Sequence, residues 1–411
     1  MVFFGVSAND AHELENELAA ANQAIENLVK EAATNESRAT ALSENAWRWV
    51  FRYRRIQRAL RRLTGRAPET AQPSSVETNG ASSGRSEETL TKLLALAKSE
   101  IRHGRTNSAA SLAELIADRF PKNPLPSSLT SLERNADRTP HYHLALGQAH
   151  YLLGENEAAA ANYRTALTFN PDLPEAHSGL AAINMPGIPY LDWLEKLYGY
   201  LKPKNVIEIG VSQSASLARV PRPAIAIGVD PVPSVIYPLQ TEAHIFAETS
   251  DDFFAHRNVL ELLRGEPLSI GFIDGSHLFE QALRDFMNLE KYSSPNSLIM
   301  FHDTVPLDEL TQRREPETHF STGDVWKTIL CLKQYRPDLD IFTIATPPTG
   351  LTLVLGLNPS SVVLTENYEH AVAQFIERGF SAVENKLASE LNIVPNDWNV
   401  VETRLKGITE H

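Results

Sequence analysis

The sequence predicts an α/β protein, with a doubly wound sheet of seven strands preceded by an all-α N-terminal part. Three observations carry that expectation. From Tyr190 onward, short apolar runs alternate with helical stretches, the grammar of a mostly parallel sheet covered by helices. Polar residues gather at the carboxyl ends of five of those runs, where open α/β sheets bind their ligands. Before Tyr190 the apolar positions instead recur at steps of three and four, the period of a helix.

Composition narrows the function classes. The chain has 411 residues, enough for two or three modules. Its 38 Lys and Arg against 51 Asp and Glu give a formal charge of −13, which argues against nucleic acid as the main partner. A single cysteine, Cys331, excludes an intramolecular disulfide framework and a cysteine-rich zinc site. No apolar run reaches the ~20 residues of a membrane span, and the opening MVFFGVSAND lacks the basic and apolar regions of a signal peptide. These features lead to the expectation of a soluble, cytoplasmic protein.

The modules follow in order. Over residues 10–63 the apolar seam runs from Ala11 through Leu18, Ile25, Leu42 and Trp49 to Leu63 in unbroken steps of three and four. That reads as the seam of a left-handed coiled coil, with Asn35 as its one clearly polar position, and it implies self-association into a homo-oligomer or a partner helix. Its arginine-rich end, WRWVFRYRRIQRALRRLTGR, reads as a basic solvated face. Residues 64–86, rich in Pro, Ser, Thr, Gly and Asn, read as a flexible linker. Residues 87–184 read as helical hairpins. Within them Gly147, Gly154, Ala159, Tyr163, Ala166 and Pro171 stand at the spacing of a tetratricopeptide repeat, which that stretch resembles. A weaker copy, Ala97, Gly104, Ala109, Ala113, Ile116 and Pro121, lies fifty residues upstream, so two separated hairpins are expected rather than a regular solenoid. Such a unit docks on a protein partner or covers the next domain.

Strands are expected at residues 205–209, 224–229, 243–246, 269–273, 297–301, 340–344 and 351–355, with helices at 277–292 and 324–335. The first strand ends in VIEIGVSQSAS and places Glu208 and Gly210 in its exit turn. The second ends in GVDP and places Asp230 where an acidic residue suits a ribose diol. The third is followed by AETSDDFF, the fourth by DGSH and the fifth by HD. Arg284 and Asp285 read as a solvated face or a structural ion pair, and Trp326 reads as core. The polar stretch 304–322 reads either as a lid or as a disordered loop. Residues 360–411 form a C-terminal helical extension.

Residues 190–359 resemble the class I S-adenosylmethionine-dependent methyltransferases, whose sheet is Rossmann-like. The segments TSDDFF, FIDGSHLFEQALRDF and TGDVWK are similar to a bacterial sugar and secondary-metabolite O-methyltransferase group. The resemblance implies S-adenosylmethionine bound by Glu208, Gly210, Asp230, Ser250 and Asp251. The turn SQSAS departs from the family, with Ser214 and Ala215 where a second glycine is common. The resemblance also implies Asp274 and Asp303 close enough to share one ion, as magnesium is held in similar enzymes, with His277 as the base that deprotonates the acceptor. His302 stands where a second carboxylate is common, and the expected metal set is Asp274, Asp303 and His302. Imidazole is a poor magnesium ligand, so the residues leave metal dependence open.

The function these features imply is O-methylation of a hydroxyl on a sugar, glycan or secondary metabolite. Asp274 and Asp303 would position the hydroxyl and His277 would remove its proton. The alternative is an oligomeric scaffold whose helical modules do the work and whose α/β domain is a non-catalytic cofactor-binding remnant.

Overall fold

The computed structural model describes residues 81–132 and 139–409 of the chain. The expected coiled coil over 10–63, and the linker as far as residue 80, lie outside these residues. Helix α1 (Ala81–Arg102) begins within the stretch expected as linker, so the helical region starts six residues before 87. It pairs with α2 (Thr106–Arg119) around Leu93, Ala97, Leu112 and Ile116, and Gly104 turns between them at φ 71. A short turn, α3 (Ser127–Thr130), follows.

Helices α4 (Pro140–Leu152), α5 (Asn156–Phe169) and α6 (Pro174–Asn184) form the repeat. Thr139 caps α4 by accepting the Tyr142 N–H at 3.2 Å, with Pro140 at the first helical position. The packing explains the sequence signature. Tyr163 of α5 lies between Gly147 of α4 and Gly179 of α6, and a Cβ at Gly147 would meet the ring at 2.6 Å. Glycine is required there so that three helices can close on one aromatic ring.

After α7 (Tyr190–Leu201) come the strands β1 (Asn205–Ile209), β2 (Ile225–Val229), β3 (Glu242–Phe246), β4 (Ile270–Ile273), β5 (Leu298–His302), β6 (Asp340–Ile344) and β7 (Leu351–Leu355). An eighth strand, β8 (Ile393–Val394), was not expected. The sheet order is β3-β2-β1-β4-β5-β7-β6-β8. Pairing is parallel except for β7, which runs antiparallel to β5 and β6. The first two crossovers carry no α-helix, and only a 3-10 turn, Leu217–Arg219, lies between β1 and β2. Helices α8 (Ser250–His256) and α9 (Val259–Leu262) join β3 to β4. Helix α10 (Phe279–Glu290) joins β4 to β5, and α11 (Trp326–Tyr335) precedes β6.

Two apolar layers enclose the sheet. Phe253, Phe279, Phe286, Trp326 and Ile329 fill one, and Trp193, Leu197, Phe272 and Met300 fill the other. The segment expected as a helical extension is built into the domain. It contains α12 (Val363–Ile376), α13 (Leu387–Glu390), β8 paired to β6, and α14 (Trp398–Thr409). Val401 and Leu405 of α14 are buried in the second layer, and Trp398 lies 5.9 Å from Trp193 between ring centroids. Arg336 is buried with its charge met by Glu290 and Asp338, each at 2.7 Å. Among the described residues no helix is long and apolar enough to cross a membrane.

Candidate active site

The ends of β4 and β5 bring four titratable side chains together. Asp274 follows β4 directly, and the parallel register Ile273↔Phe301 sets it beside His302. The chain turns sharply at both exits, with His277 and Asp303 each at φ 56, a left-handed conformation uncommon outside glycine. His277 Nε2 lies 2.9 Å from Asp303 Oδ2 and 3.6 Å from Asp274 Oδ1. His302 Nδ1 lies 3.2 Å from an oxygen of each of the same two carboxylates.

Hydrogen-bond geometry sets the charge of this cluster. His277 Nδ1 meets the Ser321 carbonyl oxygen at 3.1 Å, which can only accept, so that nitrogen carries a proton. Its Nε2 faces carboxylates and also donates, which makes the ring an imidazolium. The Thr349 hydroxyl donates to Asp303 Oδ1 at 2.6 Å, leaving its oxygen to accept from His302 Nε2 at 3.2 Å. His302 therefore donates from both nitrogens as well. Burial works to lower both histidine pKa values, but the Asp303 and Asp274 carboxylates outweigh it. His277 is held well above its ordinary 6.5, and His302 is raised to about 10. Burial opposes ionisation of the two aspartates, but the imidazolium rings hold Asp274 below and Asp303 well below the usual carboxylate range. Two cations and two anions balance.

One group of donors among the described residues lies close enough to hold a single cation. Asp274, His277 and Asp303 each offer an atom within 4.8 Å of the others. This group differs from the expected set of Asp274, Asp303 and His302 in holding His277 in place of His302. His302 is buried, turns Nε2 to Thr349, and lies under the Tyr190 ring at 3.9 Å between centroids. His277 instead remains partly open at the cluster's edge.

The residues expected to meet a cofactor line the exits of β1, β2 and β3. Glu208 is fully buried, with Oε1 accepting from Ser216 Oγ at 2.6 Å and Oε2 without a partner. Burial holds its carboxyl well above the usual range, against the Ser216 bond that favours charge. Gly210 sits at φ 88 against the next strand's exit, where a Cβ would run into the Asp274 carbonyl oxygen. Asp230 takes backbone N–H groups. Oδ2 accepts from Val211 and Ser212 at 2.9 and 2.8 Å, and Oδ1 accepts from Val232 at 2.7 Å. Ser214 adopts φ 65, the left-handed conformation that a glycine would take with least strain. Ser250 is buried and donates to Asp285 at 2.6 Å, while Asp251 is exposed and pairs with Arg284 at 3.3 Å.

Several neighbours of the cluster were not singled out in the sequence. Tyr190, Ser321 and Thr349 come from elements remote in the chain, and no local pattern marks them. Asp285, expected on a solvated face or in a structural ion pair, is buried and bonded to Ser250, because its face of α10 turns toward the β3–α8 junction. Trp326 is buried core, as expected. Residues 304–322 form a strap between β5 and α11, with Arg314 held by Glu280 and Asp324 at 2.6 and 2.7 Å. A cavity of about 10 Å³, near the lower limit for one water, lies among Asp274, His277, Asp285, His302 and Val325. A larger cavity of about 510 Å³ opens at the opposite, amino ends of β1, β4 and β5.

Comparison with known proteins adds two family matches. Residues 139–185 match the model of a tetratricopeptide repeat, and residues 213–304 match that of a methyltransferase domain. No curated protein sequence matches the chain. The chain is similar to an O-methyltransferase of Streptomyces achromogenes involved in tomaymycin synthesis, solved with S-adenosylmethionine. The identity is 16% over 48% of this chain and 96% of that one, with a TM-score of 0.32. It is also similar to an O-methyltransferase of Bacillus cereus in complex with S-adenosylhomocysteine. There the identity is 15% over 43% of this chain and 86% of the other, with a TM-score of 0.31.

Proposed function

We propose, from the match of residues 213–304 to a methyltransferase domain beside a tetratricopeptide repeat, that this chain is an S-adenosylmethionine-dependent enzyme that methylates a hydroxyl oxygen. The acceptor class we infer is a sugar, glycan or secondary metabolite. The observation that carries the reading is the balanced cluster of Asp274, His277, His302 and Asp303 at the exits of β4 and β5, next to the exits of β1 and β2.

The residues fit the cofactor. Glu208 Oε2 is a buried, unpartnered oxygen suited to an ammonium group, and the exit turn at Gly210 admits close approach to the backbone. Asp230 would offer its carboxylate to the ribose hydroxyls, with Ser250 and Asp251 nearer the base. When bound, S-adenosylmethionine supplies an electrophilic methyl group on a sulfonium. The chain's own residues supply the rest. Asp274 and Asp303 fix the His277 ring from its Nε2 side, so that the one proton of the acceptor hydroxyl is directed at Nε2. His277 takes the hydroxyl proton at Nε2, and the Ser321 carbonyl holds its ring by Nδ1. Nε2 itself carries a proton in the resting cluster, so His277 must first give that proton to solvent, to which its side chain is partly open, before Nε2 can act as base. His302, pinned by Thr349 and Tyr190, keeps the two carboxylates ionised.

Asp274, His277 and Asp303 would also hold a divalent cation, magnesium or a metal that accepts imidazole more readily, which would lower the pKa of a bound hydroxyl. A proton on His277 Nε2 and such an ion are alternatives at one position.

The test is transfer of labelled methyl from S-adenosylmethionine to a panel of nucleotide sugars, oligosaccharides and phenols, with and without chelator. Label on oxygen, reduced 10²–10⁴-fold in His277→Ala, supports the reading. Transfer undiminished in both His277→Ala and Asp303→Asn would refute it. The second reading, a scaffold with a disused cofactor domain, draws on one observation. The Asp230 carboxylate already spends both oxygens on its own backbone. The coiled coil would then serve as the oligomer seam and the repeat as a protein-docking unit.

A further inference from the structure

Three consecutive residues of the strap between β5 and α11 join the repeat to the acid–histidine cluster. His319 donates its backbone N–H to Asp172 Oδ1 at 2.7 Å, and its ring meets Asp172 Oδ2 at 2.6 Å. Phe320 stacks on His177 of α6 with centroids 5.1 Å apart and planes at 17°. Ser321 then presents its carbonyl oxygen to His277 Nδ1 at 3.1 Å. The repeat side of this joint is built, not incidental. His177 is 1% exposed, bonds the Pro171 carbonyl oxygen through Nε2 at 2.9 Å, and leaves Nδ1 without a partner. Leu307, near the start of the strap, packs against the repeat's apolar core as well as the sheet's. On the cluster side the strap returns at once. Asp324 N–H donates to the His277 carbonyl oxygen at 3.1 Å, and Gly323, at φ 52, presses against that same oxygen, leaving no room for a Cβ. The base of the strap is fixed independently, because Arg314 binds Glu280 and Asp324.

We propose that Asp172 and His177 of the repeat are positioning residues for His277, acting through His319, Phe320 and Ser321. The repeat is then a structural part of the reacting site and not only a docking module. The proposal rests on the reading of His277 as a reacting-site residue, but its geometry can be tested without an acceptor.

The test uses the full chain and compares wild type with Phe320→Ala, Phe320→Tyr, Asp172→Ala and Asp172→Asn. Two signals are read. One is amide hydrogen exchange over residues 276–280 and 322–326. The other is the ring Nδ1–H resonance of His277, which its carbonyl bond protects. Phe320→Ala and Asp172→Ala should speed exchange in both segments at least tenfold and broaden or shift the ring signal. Exchange over β1 should stay unchanged. Phe320→Tyr, which keeps the stack, and Asp172→Asn, which keeps an acceptor for the His319 N–H, should restore most of the protection. Faster exchange confined to residues 170–180 and 318–320, with the His277 ring signal unmoved, would overturn the proposal. A parallel titration with S-adenosylhomocysteine separates the two readings, since absent binding in wild type counts against the methyltransferase reading and leaves the exchange result standing.

Discussion

Asp285→Asn gives the clearest forecast of a pH effect on stability. Asp285 is 1% exposed and accepts hydrogen bonds from Ser250 at 2.6 Å and Gln281 at 3.1 Å. Burial pushes its carboxyl up from 3.8 to about 6, against those two bonds. Because the folded pKa lies above the unfolded one, the native state binds more protons between these values, and stability falls as pH rises through the window. The penalty is absent below 3.8, nearly complete above the folded value of about 6, and amounts to about 3 kcal/mol at 1.36 kcal/mol per unit. Asparagine keeps an oxygen for Ser250 and Gln281 but has no charge to bury. The stability difference, variant minus wild type, should therefore grow by about 2 kcal/mol between pH 4.5 and 7.5. Any constant cost of placing the new NH₂ group cancels in that comparison. For a domain of this size the change corresponds to about 4–8 °C in the unfolding midpoint, read by circular dichroism at the two pH values. A midpoint difference that does not change with pH would refute the reasoning.

Three further outcomes follow from packing and charge. Gly210→Ala should lower stability by about 3 kcal/mol or more, because a Cβ would meet the Asp274 carbonyl oxygen and the backbone is left-handed there. A thermal melt at wild-type temperature would contradict this. Ser214→Gly should exceed Ser214→Ala in stability by about 1 kcal/mol, since both lose the Tyr237 carbonyl bond but only glycine relieves φ 65. Arg336→Met should cost about 3–5 kcal/mol in denaturant unfolding, as it strands the buried Glu290 carboxylate.

Much of the fold was legible because strands buried on both faces are near-continuous apolar runs, parallel or not, and β1 and β7 match their expected bounds. Strand β8 was not, since two residues carry no period and Ile393–Val394 is ordered by pairing with β6. The repeat showed through Gly147 and Tyr163, yet Gly179, which closes the other side of the same ring, lies outside the spacing that was read. At the site, Asp274, His277, His302 and Asp303 were legible because strand exits announce themselves. Their charge state was not, because it depends on Ser321 and Thr349, brought in from 44 and 46 residues away. Asp285 was misjudged for a related reason. A polar residue on an amphipathic helix reads as solvated unless the loop that covers it, here the one bearing Ser250, is known. Asp230 stands at the expected exit, but an exit position does not reveal that its oxygens already hold the turn at residues 211–212.

The central claim is tested most directly by calorimetric titration of S-adenosylmethionine into the full chain, alongside Asp230→Ala and Glu208→Gln. The account predicts saturable one-site binding to the wild type that Asp230→Ala abolishes and Glu208→Gln weakens. No binding heat across the cofactor's solubility range, from a protein whose circular dichroism shows it folded, would contradict the account and leave the domain a disused site on a scaffold.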